Sequence, residues 1–315
     1  LRPALLVTRR LPDRVLAALE ARFAMTLREA TAPLDPAGAA AALAAHDAVL
    51  PTLGDAFGAA AFAAPPRARI LANFGVGTDH IDIAAARAAG VAVTNTPGAV
   101  TDATADLAVM LMLMAARRAG EGERLVRAGL WGGWQPTQLL GLHVTGKTVG
   151  IVGMGRIGRA IAHRCHYGFG MAVRYFTRSP VDPGLPARAV PTLAAAMAAD
   201  VVILAVPGGA ATRHLIGAAA LAAMPRHGIL VNVARGDVLD EAALIAALEA
   251  GTIAAAALDV YECEPAVPAR LRALENVVLL PHLGTNALEV REAMGMMAHD
   301  NLVAFFAGRP LPNPV

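Results

Sequence analysis

The stretch Gly153-Met154-Gly155-Arg156-Ile157-Gly158 constrains this chain more than any other. It follows the apolar run Thr148–Val152 and opens a helical run through Ile161 and Ala162. Strand, glycine-rich turn and helix in that order make a phosphate-binding turn. Gly153 and Gly155 lack the side chains that would hold a pyrophosphate away from the backbone. Gly158 permits close packing of helix on strand, and free N–H groups together with the helix dipole attract negative charge. Glycines that merely make a turn are the alternative; the flanking strand and helix argue against it.

Around this turn the chain repeats one pattern. Apolar runs at Ala4–Thr8, Ala48–Pro51, Arg69–Asn73 and Val91–Thr94 alternate with alanine-rich helical stretches such as Arg14–Arg22 and Ile83–Ala89. A second series of strands follows at Thr148–Val152, Ala172–Phe176, Val201–Val206, Ile229–Val233, Ala255–Val260 and Val277–Leu280. Alternation of this kind implies two α/β units, each built on a parallel sheet covered on both faces. Thr101–Arg118, introduced by Asn95-Thr96-Pro97-Gly98, and Glu289–Phe306, closed by Gly308, read as helices connecting them. The expected division is a discontinuous substrate domain of residues 1–97 and 287–315 and a dinucleotide-binding domain of residues 98–286.

Composition narrows the function classes. A net charge of +2 with no basic block excludes nucleic acid and acidic membranes as expected partners. The most apolar stretches, Leu107–Ala116 and Val201–Val206, fall short of the roughly 20 residues a membrane span needs. Cys165 and Cys263 fit neither a disulfide framework nor a metal-ligand cluster, so no metal is expected and a reducing cytoplasm is. No charged leader before a short apolar core opens the chain, and export is not expected.

The end of the next strand after the turn speaks to the cofactor. A carboxylate for the adenosine ribose is expected about 20 residues beyond the motif. Thr177-Arg178-Ser179 stands there, with no acid. A guanidinium flanked by hydroxyls suits a 2′-phosphate through paired charge-assisted bonds. NADP(H) is therefore expected to be preferred, with NAD(H) possible. Because arginine is the default cation of this chain, with Lys147 its one lysine, a solvated surface residue is the alternative for Arg178.

Several further motifs occur in order: Asn73-Phe74-Gly75-Val76-Gly77-Thr78-Asp79, Thr94-Asn95-Thr96-Pro97-Gly98, Val231-Asn232-Val233-Ala234-Arg235-Gly236, Leu258-Asp259-Val260-Tyr261-Glu262-Cys263-Glu264-Pro265 and Pro281-His282-Leu283-Gly284. With these the chain resembles the D-isomer-specific 2-hydroxyacid dehydrogenase family, most closely its glyoxylate and hydroxypyruvate reductase branch. The resemblance runs over almost the whole length. It implies two Rossmann-like or flavodoxin-like domains joined by two connecting helices around a central cleft. It also implies that Arg235 holds the substrate carboxylate, that Glu264 pairs with an imidazole, and that His282 is the acid/base.

The chemistry asks for the same set. Reduction of a 2-keto acid needs a fixed cation for the carboxylate, a proton donor at the carbonyl oxygen and a nicotinamide carbon over the keto carbon. Arg235 offers a fork that matches two carboxylate oxygens, His282 a proton near neutral pH, and Glu264 a charge that favours the protonated ring. Taken singly, a histidine after a strand is more often structural, and an arginine or glutamate on a loop is as readily surface charge. Each of the three follows an apolar strand of the second unit, where ligands gather at the carboxyl ends of a parallel sheet.

Further contacts are implied by the resemblance alone: Val76 and Gly77 as backbone donors to the substrate carboxylate, Leu53 and Trp134 as pocket walls, and Thr104, Pro207, Ala234, Asp259, His282 and Gly284 beside the cofactor. Turn, core and interface roles are the alternatives for these. Trp131 and Trp134 resemble a loop that reaches across a dimer, so a homodimer is expected. Two departures are visible, His143-Val144 before the glycine-rich strand and Pro207-Gly208-Gly209-Ala210, where a polar loop is commoner. A nucleotide-sensing corepressor-like scaffold and a relative acting on phosphoglycerate or formate are the rival readings.

Overall fold

Runs of Val, Ile, Leu and Ala too short for helices become parallel strands buried on both faces, the form such sequences take when helices cover the sheet. The computed structural model describes residues 2–315. The chain divides into two units, Leu1–Val100 with Thr285–Val315, and Thr101–Gly284.

The first unit carries β1 (Ala4–Val7), β2 (Ala24–Leu27), β3 (Ala48–Leu50), β4 (Ile70–Ala72) and β5 (Ala92–Thr94). They pair in parallel in the order β2-β1-β3-β4-β5. This is the flavodoxin-like order of a doubly wound sheet. Pro51 lacks an N–H to continue a ladder, and β3 stops before it. The helix Leu288–Phe306 packs on the helix Asp13–Arg22, where a Cβ on Gly295 would lie 2.5 Å from Val15. Only a glycine admits that approach.

The second unit carries β6 (Thr148–Val152), β7 (Ala172–Phe176), β8 (Ala187–Ala189), β9 (Val201–Leu204), β10 (Ile229–Asn232), β11 (Ala255–Leu258) and β12 (Val277–Leu279). All pair in parallel, in the order β12-β11-β10-β9-β6-β7-β8. The order reverses between β6 and β9, the switch point at which such sheets bind ligands. Its core runs along both faces of the central strands, with Val149, Ile151, Val201, Ile203 and Val231 toward one layer and Val152, Val202, Leu204 and Leu230 toward the other.

Each of the two helices expected to connect the units belongs structurally to one of them. The helix Thr101–Ala116 packs on the helix Arg156–His163 and on β10 and β11, and ends two residues early, before Arg118 turns left-handed at φ 50°. Strands β2 and β8 escape the periodicity because they are short edge strands in which every residue is half or fully exposed. No helix among the described residues is long and apolar enough to cross a membrane.

The start of the second sheet is tied by Asp200, whose Oδ2 accepts from Thr148 N (2.8 Å) and Thr148 Oγ1 (2.6 Å), with Oδ1 2.7 Å from His227 Nε2. Burial pushes this carboxyl up, but the two bonds from Thr148 and the contact with His227 outweigh it and hold it at about 2, below the ordinary 3.8. A carboxyl depressed in the folded state stabilises above its unfolded pKa, and that contribution is lost as pH falls through the folded value. Asp200→Asn is therefore expected to cost about 2 kcal/mol at neutral pH. In denaturant unfolding the gap from the unaltered protein should close between 3.8 and about 2; equal stability at neutral pH contradicts it.

Candidate active site

At the carboxyl end of β6 the chain turns at Gly153, whose φ of 99° is left-handed and whose Cβ, if present, would stand 2.6 Å from Ala205 O. Gly155 then caps the helix Arg156–His163 in extended geometry without a side-chain bond to the first-turn amides. A Cβ on Gly158 would fall 2.0 Å from Gly153 O, so the helix can lie on its own turn only with glycine there. At Gly155 a Cβ would meet nothing within 4 Å. The three glycines thus differ: Gly153 and Gly158 are required by the protein's own packing, whereas Gly155 borders open space next to uncapped N–H groups. That is the cradle a pyrophosphate needs, and the turn fits a dinucleotide. Arg156 is exposed beside it and Ile157 packs against the core.

Thr177, Arg178 and Ser179 follow β7, with Arg178 and Ser179 exposed. Arg178 makes no ion pair among the described residues. The loop after β9 is closed by Thr212, whose Oγ1 donates to Pro207 O at 2.8 Å. Its unusual Gly208 has a physical reason, since a Cβ there would lie 2.7 Å from Arg235 Cγ. The glycine makes room for the arginine side chain.

Arg235 leaves β10 through an Asx-type clasp. Buried Asn232 accepts from Ala234 N at 3.0 Å through Oδ1 and donates to Arg235 O at 3.0 Å through Nδ2. The next residue, Gly236, brings this loop against that of β11, for its Cβ would sit 1.8 Å from Tyr261 C. Tyr261 in turn donates its N–H to Glu264 Oε1 at 3.0 Å and its hydroxyl to Leu280 O at 2.9 Å. The loops that carry the arginine, the glutamate and the histidine are therefore tied through one residue.

Glu264 Oε2 lies 2.9 Å from His282 Nδ1. Burial raises the Glu264 carboxyl, but the bond to His282, its charge, the Tyr261 amide and the Arg235 charge together hold it below the ordinary carboxylate value. The glutamate is ionised at neutral pH, as an imidazole partner requires.

His282 stands in the left-handed region at φ 56°, a conformation that costs a non-glycine residue roughly 1–2 kcal/mol. Asp259, at the end of β11, holds it there. Its carbonyl accepts from His282 N at 2.9 Å, and its two carboxylate oxygens accept from Leu283 N (2.6 Å) and Gly284 N (2.8 Å). Thr104 Oγ1 adds a bond to Gly284 O at 3.2 Å. Both Asp259 and Thr104 are buried, and burial raises the Asp259 carboxyl against the pull of the loop amides and His282. The polar groups of Thr104 and Asp259 thus brace the His282–Gly284 loop, a role that sequence reading did not assign to them.

In the first unit, Leu53 is exposed on a loop anchored by fully buried Asp55, which accepts from Thr8 Oγ1 at 2.6 Å, Thr52 N at 2.8 Å and Leu34 N at 2.8 Å. Val76 and Gly77 lie half-buried after β4. Trp134 is 81% exposed in the second unit, and Trp131 Nε1 donates to Gln138 Oε1 at 3.3 Å.

This combination of a doubly wound sheet, a dinucleotide turn and a glutamate-paired histidine defines a nucleotide-dependent oxidoreductase. Residues 109–284 match the family model described as D-isomer specific 2-hydroxyacid dehydrogenase, NAD binding domain. The chain is 42% identical over its full length, and over 96% of the relative, to a glyoxylate reductase of Korarchaeum cryptofilum, and 41% identical with the same coverage to one of Thermococcus onnurineus. Among solved structures it resembles an NADPH-dependent glyoxylate/hydroxypyruvate reductase of Sinorhizobium meliloti in complex with NADP and malonate, with a TM-score of 0.89 and 40% identity over 100% of this chain and 97% of that one. The chain belongs to the D-isomer specific 2-hydroxyacid dehydrogenase family. Its reaction is the NAD(P)H-dependent reduction of a small 2-keto acid to the D-2-hydroxy acid.

The glycine geometry separates binding from folding. Gly155→Ala should keep the melting temperature and weaken NADPH binding, read by nucleotide fluorescence. Gly158→Ala should lose about 1–3 kcal/mol of stability through overpacking. Equal melting temperatures for the two variants contradict this division.

Proposed function

We propose that the chain reduces a 2-keto acid of the glyoxylate or hydroxypyruvate type with NADPH in preference to NADH. The contact of His282 Nδ1 with Glu264 at 2.9 Å is the observation that carries the keto-acid reduction. With Nδ1 turned to the carboxylate, Nε2 is the nitrogen left to give a proton to the keto oxygen. Glu264 keeps the ring oriented and balances the charge it carries before transfer. Arg235 clamps the substrate carboxylate in its guanidinium fork, and Val76 and Gly77 offer it backbone N–H groups. Leu53 and Trp134 are proposed walls for a small substrate.

The reduced nicotinamide supplies the hydride when bound. Gly153, Gly155, Arg156, Ile157 and Gly158 are proposed to receive its pyrophosphate, with Pro207, Ala234, Asp259, Thr104 and Gly284 beside the rest of the cofactor. Thr177, Arg178 and Ser179 are proposed to take the 2′-phosphate, which is the basis of the NADPH preference. The names of the Korarchaeum and Sinorhizobium relatives support the substrate class and the NADPH preference.

Val126, Leu130, Trp131, Trp134 and Leu140 are all exposed in the second unit. A run of large apolar side chains of this kind supports a homodimer, and light scattering at the mass of one chain would refute it. The free thiols of Cys165 and Cys263 suit a reducing compartment, and the cytoplasm is the proposed one.

Oxidation of NADPH and of NADH is to be followed against glyoxylate, hydroxypyruvate, pyruvate, phenylpyruvate and 2-ketoisovalerate. Highest kcat/KM on the first two, with NADPH above NADH, is expected. Equal or better efficiency with NADH refutes the cofactor preference. A higher kcat/KM on pyruvate, phenylpyruvate or 2-ketoisovalerate than on glyoxylate and hydroxypyruvate refutes the substrate class.

A further inference from the structure

In the loop after β4, the carbonyls of Gly75, Val76 and Gly77 are all taken by side-chain amides. Asn73, which is 1% exposed, donates both N–H bonds of its amide, to Gly75 O at 3.1 Å and to Gly77 O at 2.9 Å. Asn95, just after β5, donates to Val76 O at 2.9 Å. Thr96 N adds a second bond to Gly75 O at 3.0 Å. On its other side Asn73 Oδ1 lies 3.1 Å from His80 Nε2, a contact that sets which way the amide faces.

Within one planar peptide the C=O and the N–H point in opposite directions. Holding Gly75 O therefore turns the Val76 N–H away from Asn73, and holding Val76 O turns the Gly77 N–H away from Asn95. Neither N–H group donates to a backbone carbonyl among the described residues. Successive outward N–H groups of this kind make a site for an anion. A buried asparagine that spends all its donors on one short loop is costly to keep unless its partners stay in place.

We propose that Asn73 and Asn95 are positioning residues that aim the Val76 and Gly77 N–H groups at the carboxylate of the keto acid. This rests on the assignment of that loop as a carboxylate donor under Proposed function. The two asparagines do not touch substrate; they act through the loop backbone. His80 acts one step further out, by orienting the Asn73 amide.

The test measures KM for glyoxylate at saturating NADPH, Ki for the keto-acid analogue oxamate, and Kd for NADPH. Asn73→Asp keeps the size and the acceptor for His80 but places an oxygen where the amide donated. Asn95→Ala releases Val76 O alone, and it decides the matter if Asn73→Asp does not fold. In each variant KM and Ki should rise together by about tenfold, the loss of a charge-assisted contact, while NADPH binding stays unchanged. A fall in kcat with KM and Ki unmoved overturns the proposal, as does a parallel loss of NADPH binding. Replacing the Gly77 amide with an ester by semisynthesis deletes its N–H directly and separates the two readings. An ester enzyme that binds oxamate like the unaltered one removes the carboxylate assignment itself. An ester that weakens oxamate while both asparagine variants bind it normally removes only the positioning role.

Discussion

His282 is held between two carboxylates, and the rest of the site is arranged around that hold. Asp259 takes the loop amides on one side, and Glu264 meets Nδ1 on the other. The two acids do different work. Asp259 is buried and bonds backbone, so it offsets the cost of a left-handed histidine. Glu264 is held ionised by its neighbours and bonds the ring, so it sets orientation and charge. Exchanging their surroundings would leave a misplaced imidazole or a neutral partner.

Close backbone approach brings the other parts to this point. Gly236 lets the loop of Arg235 lie on Tyr261, and Gly208 lets the next loop lie on Arg235 itself. Tyr261 then reaches both Glu264 and the strand end before His282. A side chain at either glycine would push apart loops whose functional groups must work within hydrogen-bond reach. Preorganisation here is a matter of where side chains are missing as much as of where they stand.

Much of this was legible in the sequence, and what was not has identifiable causes. The bounds of β6 and β7 follow directly from apolar runs closed by glycine or polar residues, and the glycine-rich turn stands where those runs place it. The contact between Glu264 and His282 was implied by the family resemblance, and the place of each after a strand of one sheet agreed with it. The strand orders could not be read, since pairing depends on contacts far apart in sequence. Edge strands β2 and β8 lack the buried run that marks central ones. The bracing role of Asp259 was hidden for a similar reason: its partners are backbone amides of Leu283 and Gly284, and backbone leaves no mark in composition. Gly208 looked like a departure from a polar loop until the position of Arg235 explained it.

The pairing of His282 with Glu264 is tested most directly by the pH dependence of keto-acid reduction in Glu264→Gln. Glutamine keeps the size of the side chain and removes the negative charge that stands 2.9 Å from Nδ1. The reductive profile is expected to move to lower pH while NADPH still binds. A profile that stays in place, with the variant folded and NADPH bound, contradicts the pairing.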